Sequence, residues 1–573
     1  MITQAALRKP PPVRLMPSAE RWALWATIAA LFLALPVVSV AWIALSATNS
    51  SWPHLMATVL PRALGNTLLL LAGTGALTLV IGTATAWIVT MFRFPGRALA
   101  DQLLVLPMAM PVYIVAYAYV ELLDFAGPVQ TALRTRFGAQ SLIAHIVPDM
   151  RSLSGAIFLF SIVLYPYVYL TARASFIQQS VCALEVARTL GRSAAETFWA
   201  VALPMARPAL VAGISLVLME CLNDLGAVQY LGVETLSASI YATWTQRSNL
   251  PGAAQLALVL LVLVVVLLLG ERRLRGEASF HATTGRFRAI PFETLDGWRA
   301  TAAFLTVNVP VLLGFAVPFL VLANHALSHL GSLDVAGFVT SARNSLVLAS
   351  LTSAVAVALA LLFAYAARLH KSPMTRIAGH IASLGYALPG TVLAIGLLAP
   401  LAVFDNSIDA WARAHLGLST GLLLSGSMFA VTLALVIRFL AVALGTIESG
   451  LGRISPNIDA AAKTLGAGST RSLRRIHVPM LKPAIGAAAL LVFVDAMKEL
   501  PATLLLRPFN FETLATRIYG LTAAEQFEEA AIGAVAIVII GLIPVLLLHK
   551  AIAGGRTGGP AQCAEPPAGR RKS

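Results

Sequence analysis

EVARTLGRSAAETFWAVALPMARPAL, from Glu185 to Leu210, is too polar to lie in a bilayer, yet long apolar runs flank it on both sides. Its pattern predicts a short helix ending at Gly191, a turn, and a second helix. Ser193 and Glu196 form an S-x-x-E capping box that would satisfy the first amides of that second helix. Pro204 is expected to stop it, because an interior proline removes a hydrogen bond and strikes the preceding turn. Phe198, Trp199, Val201 and Leu203 would then form an apolar face in water, which calls for a docking partner.

The passage recurs 275 positions later, where Ala460 to Ile485 reads AAAKTLGAGSTRSLRRIHVPMLKPAI. Ala187, Gly191, Pro204 and Pro208 meet Ala462, Gly466, Pro479 and Pro483. A long fixed period carried by glycine and proline marks a duplicated module. Other pieces repeat at nearly the same spacing: Asn66-Thr-Leu with Asn344-Ser-Leu, Pro111 with Pro389, Thr235-Leu236 with Thr513-Leu514.

Of the 573 residues 58% are hydrophobic and 12% charged, with mean hydropathy +0.80. Soluble domains carry about 25% charged residues, so this chain belongs in a membrane. Spans of about twenty residues fall at 22–47, 64–91, 102–122, 153–172, 208–231 and 251–270. A second set falls at 300–323, 343–367, 378–403, 421–446, 483–506 and 530–549. The fold class is therefore all-α and polytopic, with about 12 transmembrane helices in two parallel six-helix repeats. The chain divides into an N-terminal tail (1–21), a first repeat (22–270), a linker (271–299), a second repeat (300–549) and a C-terminal tail (550–573).

With the N-terminus inside, most of the 41 Lys and Arg residues fall on cytoplasmic segments, which places both termini and both repeated loops in the cytoplasm. The net charge of +15 is thus a topology signal and an attraction to anionic lipid, with no nucleic-acid partner implied. Cys182, Cys221 and Cys563 are scattered, and give neither a disulfide framework nor a metal site. No glycine precedes a lysine, so no Walker A loop exists here and any ATP must be hydrolysed by another polypeptide. No cofactor and no catalytic constellation is expected.

The span after each loop carries acids. Glu220 and Asp224 are four apart, on one helical face, and correspond to Asp495 and Glu499. A charge at mid-bilayer costs about 2.5–3.5 kcal/mol on insertion scales, so each is expected to face a cavity or a partner, with Lys498 and Arg438 as internal candidates. The alternative places them wetted at the outer end of their span. Arg438 is either an intramembrane ion-pair member or a snorkelling cation. His325 and His329 read as interfacial, and Tyr165, Tyr167 and Tyr169 as an aromatic belt.

The repeated loop resembles the E-A-A…G…P cytoplasmic loop of ABC transporter permeases. The flanking words LMECLNDLGAVQYLGVETLSASIYATW and FVDAMKELPATLLLRPFNFETLATRIYGL resemble those of the ferric iron ABC permeases. The first loop follows the pattern closely, whereas the second has Ala460 in place of the glutamate and Asp459 one position earlier. The resemblance implies the permease of a bacterial inner-membrane importer. Two ATPase copies would dock on loops carrying Glu185, Ala187, Gly191, Phe198 and Pro204, and Ala462, Gly466 and Pro479. A periplasmic binding protein would deliver ferric iron along a path lined by Glu220, Asp224, Asp495 and Glu499, with no resident metal. Hard carboxylate oxygens suit ferric ion. Related permeases carry thiamine, phosphonates or polyamines, which stay open as alternatives. An ion-driven secondary transporter is a further one, disfavoured because it needs no docking loop.

Overall fold

The computed structural model describes residues 18–46, 51–138, 149–178, 191, 193–275 and 293–554. Its long helices are α1 (Ser18–Ser46), α2 (Leu60–Met91), α3 (Val112–Leu123), α4 (Leu153–Gln178), α5 (Phe198–Asn223) and α6 (Leu250–Arg275). The second half supplies α7 (Gly297–Ser328), α8 (Val335–Leu369), α9 (Gly390–Leu416), α10 (Met428–Gly452), α11 (Lys482–Met497) and α12 (Phe527–Gly554). Helix is the form in which an apolar chain satisfies its own backbone without water. Among the described residues eleven helices are long and apolar enough to cross a membrane, or up to twelve when the bent pair Ser469–Met480 and Lys482–Met497 counts as one span. The only sheet among them is a two-residue parallel pairing of Phe92–Arg93 with Glu293–Thr294.

Four spans begin or end at breaks in the helix that their expected limits ran across. The third begins at Val112, after a 3-10 turn over Leu106–Ala109, and the ninth begins at Gly390, after a separate helix Pro373–Leu384. The fifth and eleventh stop at Asn223 and Met497, where the chain breaks and restarts as the short helices Gly226–Tyr230 and Pro501–Leu506. Hydropathy averaged over a whole span runs through such breaks, because the few polar residues at two of them (Asn223, Asp224, Lys498 and Glu499) are outweighed by the apolar residues on either side.

Pro204 does not stop its helix. The turn before it opens into a π-helix over Phe198–Ala202, in which Leu203 donates to the Phe198 carbonyl, and the chain continues to Asn223. All four π-turns among the described residues (Leu55–Val59, Phe198–Ala202, Leu312–Ala316, Leu473–His477) are followed at the second position by a proline: Pro61, Pro204, Pro318 and Pro479. The wider turn removes the carbonyl that the pyrrolidine ring would strike. It also releases carbonyls from the ladder. Leu313, inside one such turn, receives the Tyr119 hydroxyl at 2.7 Å.

The duplication is visible in matching hydrogen bonds. Asn66 donates to the Glu234 carbonyl and Asn344 to the Glu512 carbonyl, each across 168 residues. Thr67 and Ser345 accept from the amides of Leu236 and Leu514, each across 169.

The chain forms two compact units, and each draws helices from both halves. One holds α1 as far as Ser39 with Val347–Leu388 and Gly396–Ala496. There Trp22 of α1 meets Tyr365 edge-on, and a Cβ on Gly396 would come within 2.3 Å of the Pro36 carbonyl oxygen. The other holds Val40–Leu346, Pro389–Ile395 and the chain from Met497. In it α7 lies against the first half, with Gly314 against the Ile162 carbonyl. The opening helix of each half therefore packs with helices of the other half.

Tyr165 and Tyr169 are fully buried and do not form a lipid-facing belt. α4 is packed on several sides by α2, α5 and α3, and the Tyr169 hydroxyl donates to Asp101. Arg438 is likewise buried, its guanidinium 5.0 Å from the Phe439 ring, which excludes snorkelling.

Candidate functional site

The second repeated loop is built on local signals. Ser455 caps the helix Pro456–Thr464 by accepting from Asn457. The helix ends at Gly466, whose φ of +75° is the left-handed conformation open to glycine. Gly466 donates to Lys463 and Ala467 to Ala462, the paired bonds of a Schellman ending. Leu465, beside that glycine, is 86% exposed. Leu465 recurs in sequence opposite Leu190, but the exposure of its side chain is seen only in the structure.

Asp459 faces inward. Its Oδ2 lies 2.8 Å from Arg368 Nε and its Oδ1 2.9 Å from the fully buried His477 Nε2. Arg368 also donates to the carbonyls of Leu451 and Ile454, and the Tyr365 hydroxyl to that of Ser469. This cluster clamps the loop to the end of α8, and sequence reasoning missed it because its members are scattered along the chain.

In the first loop Gly191 has φ +84°, and the capping box stands as expected, with Ser193 N donating to Glu196 Oε2 and Glu196 N to Ser193 Oγ. Glu185, Ala187 and the helix expected before Gly191 lie outside the described residues. Phe198 is not on the open face. It packs on Trp87, ring centroids 5.0 Å apart, near Phe176, while Trp199 is 67% exposed. Trp87 and Tyr365 hold matching positions on α2 and α8, so an aromatic cluster does in one loop what a polar one does in the other.

The acids lie at the breaks. Asp224 is not on one helical face with Glu220, because α5 ends at Asn223 and Asp224 is extended. Its Oδ1 accepts from Ala227 N at 2.7 Å, so it caps the next helix. Glu499 does the same in the second half: it accepts from the amides of Ala502 and Thr503 and from the Thr503 hydroxyl. Sequence spacing assumed a continuous helix, and the breaks turn both acids into caps. The two breaks meet in one unit. Asn223 Oδ1 accepts from Gly390 N at 2.9 Å, a Cβ on Gly390 would lie 2.9 Å from Glu499, and one on Gly226 would lie 2.6 Å from Leu500. Glu220 and Asp495 stand one turn earlier, half-buried on α5 and α11. His325 and His329 lie 3.9 Å from Glu121 and Glu528 respectively. Among the described residues no three His, Cys, Asp or Glu side chains gather as a metal site.

A duplicated helical membrane protein, with a polar loop feeding a broken span in each half, is a two-half permease. Residues 78–274 and 356–556 both match the family described as "Binding-protein-dependent transport system inner membrane component", and the chain belongs to that family. It is the multi-pass permease component of an ABC importer, a transport subunit. It is 25% identical to the Fe(3+)-transport system permease protein FbpB 2 of Haemophilus influenzae over 496 residues, covering 85% of this chain and 89% of that one. The ferric transport system permease protein FbpB of Actinobacillus pleuropneumoniae is 23% identical over 525 residues, 86% of this chain and 71% of its own. The sulfate transport system permease protein CysT of Salmonella typhimurium is 29% identical over 203 residues, 34% of this chain and 70% of its own.

Proposed function

We propose that this permease imports ferric iron across a bacterial inner membrane, with both termini in the cytoplasm. A periplasmic binding protein hands over the ion, and two copies of an ATPase subunit dock from the cytoplasm, one on each repeated loop. The supporting observation is the doubled loop: in each half a left-handed glycine and a π-turn before a proline lead into a span that breaks at a capping acid. Gly191, Pro204, Gly466 and Pro479 shape the docking elements, with Glu185, Ala187 and Ala462 completing them and Phe198 anchoring the first to Trp87. The two repeats, 22–270 and 300–549, then make up the halves of one transporter, each with its opening helix packed with the other.

Iron is favoured over an oxyanion on two grounds. The relatives named for ferric transport align with 85% and 86% of this chain, the one named for sulfate with 34%. Carboxylate oxygens also attract a hard cation and repel sulfate. Glu220, Asp224, Asp495 and Glu499 form the path, and a transported ion must be held weakly enough to leave. Because Asp224 and Glu499 also cap helices, the test is made at Glu220 and Asp495. Uptake of radiolabelled ferric iron, normalised to inserted permease, should fall about tenfold in the Glu220→Gln, Asp495→Asn variant, equivalent to about 1.4 kcal/mol. Excess sulfate or polyamine should not compete. Near-normal uptake by the variant would remove the acids from the path, and competition by polyamine would replace iron as the substrate.

A further inference from the structure

The two halves differ at one matching place. In the first, Asp101 of the short helix Arg97–Leu103 pairs with Arg173 of α4 at 2.7 Å and accepts from the buried Tyr169 hydroxyl. These contacts tie the short helix Arg97–Leu103 to α4. The second half has Gly379, Glu448 and Leu444 at the corresponding positions. A cavity of about 380 Å³ is left between α8, the helix Pro373–Leu384 and α10. Lys371, Arg376, His380 and Glu448 supply its charged and titratable wall, and Glu448 lies within electrostatic reach of His380.

The helix Pro373–Leu384 has three faces. Thr375, Ala378 and Ala382 are buried against the protein, while Arg376, Gly379, His380 and Ser383 line the cavity. Met374, Ile377 and Leu384 are exposed at 57%, 58% and 47%. At 3.6 residues per turn this apolar stripe adjoins the Arg376–His380 side of the cavity. A helix with an apolar stripe beside a cationic one lies in the plane of the membrane interface.

We propose that this cavity receives the phosphate headgroup of an anionic phospholipid, whose acyl chain runs along Met374, Ile377 and Leu384. Two permanent cations and a histidine face a single carboxylate, so the cavity favours an anion. The apolar stripe beside them favours a lipid over a free ion. The inner leaflet is the source, because the end of α8 is cytoplasmic in the orientation proposed above; the cavity chemistry itself does not depend on that orientation.

The test uses the full-length chain in phosphatidylcholine vesicles doped with a photoactivatable phosphatidylglycerol, with cross-links mapped by peptide. Labelling should concentrate on 371–384 and exceed that from photoactivatable phosphatidylcholine. Removing Lys371 and Arg376 as glutamines should weaken it by about fivefold per cation. The Gly379→Asp, Glu448→Arg variant places the Asp101–Arg173 ion pair of the first half inside the cavity and should lose the labelling although both cations remain. Thermal unfolding of each variant identifies a folding defect, and because the two variants alter different residues, retention of labelling by either correctly folded one overturns the proposal. Equal labelling by the zwitterionic lipid, or full competition by inorganic phosphate, overturns it as well. A cysteine at Ser469 that reacts only from outside would instead overturn the orientation and leave the cavity standing.

Discussion

Asp459 sits one position before the site where the loop pattern expects an acid, and its two short contacts decide what it does. With Arg368 at 2.8 Å and His477 at 2.9 Å, the carboxylate is held within the protein, away from a docking partner. Asp459→Ala would leave a buried cation and imidazole without it, at a cost of about 2 kcal/mol. A lowered unfolding temperature and faster tryptic cleavage at Arg471, Arg474 and Arg475 should follow, and an unchanged melt would mean the cluster is not a clamp. Sequence alone identified the acid but not its role, because Arg368, Asp459 and His477 belong to three separate elements. The capping acids failed in the opposite way. Asp224 and Glu499 were found by spacing and given the wrong geometry, since a four-residue spacing says nothing about a chain break between the two residues. The capping box of Ser193 and Glu196 was legible because both partners lie within one turn.

The π-turn before proline is the recurring element. Sequence predicts a stop at Pro204, yet there, as at Pro61 and Pro318, the helix runs on, and only after Pro479 does it bend, by 77°. The rule that proline ends a helix assumes a regular ladder, and one widened turn removes both the clash and the lost bond. In the apolar interior the released carbonyls are the remaining cost, which at Leu313 is met by the Tyr119 hydroxyl. Replacing Pro204 by alanine restores an amide and allows the turn to close to α-helix, which rotates Trp199 by about 100° relative to the Leu203–Asn223 part of α5, one residue's step. ATPase binding should weaken about tenfold while insertion is unchanged, with 1.4 kcal/mol as the corresponding change. Titration of labelled ATPase against the permease reads this directly. Wild-type affinity would show that the π-turn serves only to accommodate the proline.

At the scale of the molecule the duplication was legible from the outset, because glycine, proline and asparagine recur at a fixed spacing and the structure repeats the hydrogen bonds they make. The exchange of opening helices was not legible. α1 and α7 are generic apolar stretches, and which helices they pack against depends on close approaches such as Pro36 to Gly396 and Ile162 to Gly314. On the proposed function the same symmetry gives both loops equal rank as docking elements, despite one being clamped by aromatic rings and the other by an ion cluster. The most direct measurement is the native mass of the detergent-solubilised complex with its ATPase. Gly191 and Gly466 are left-handed and exposed, with nothing within 4 Å of a Cβ placed on them, so an aspartate there costs mainly backbone strain of about 1–2 kcal/mol and puts a charge on the proposed docking surface. The account predicts two ATPase copies on the wild-type chain, one on Gly191→Asp or Gly466→Asp, and none on the double variant. Two copies retained by the double variant, or a single copy on the wild type, would contradict it.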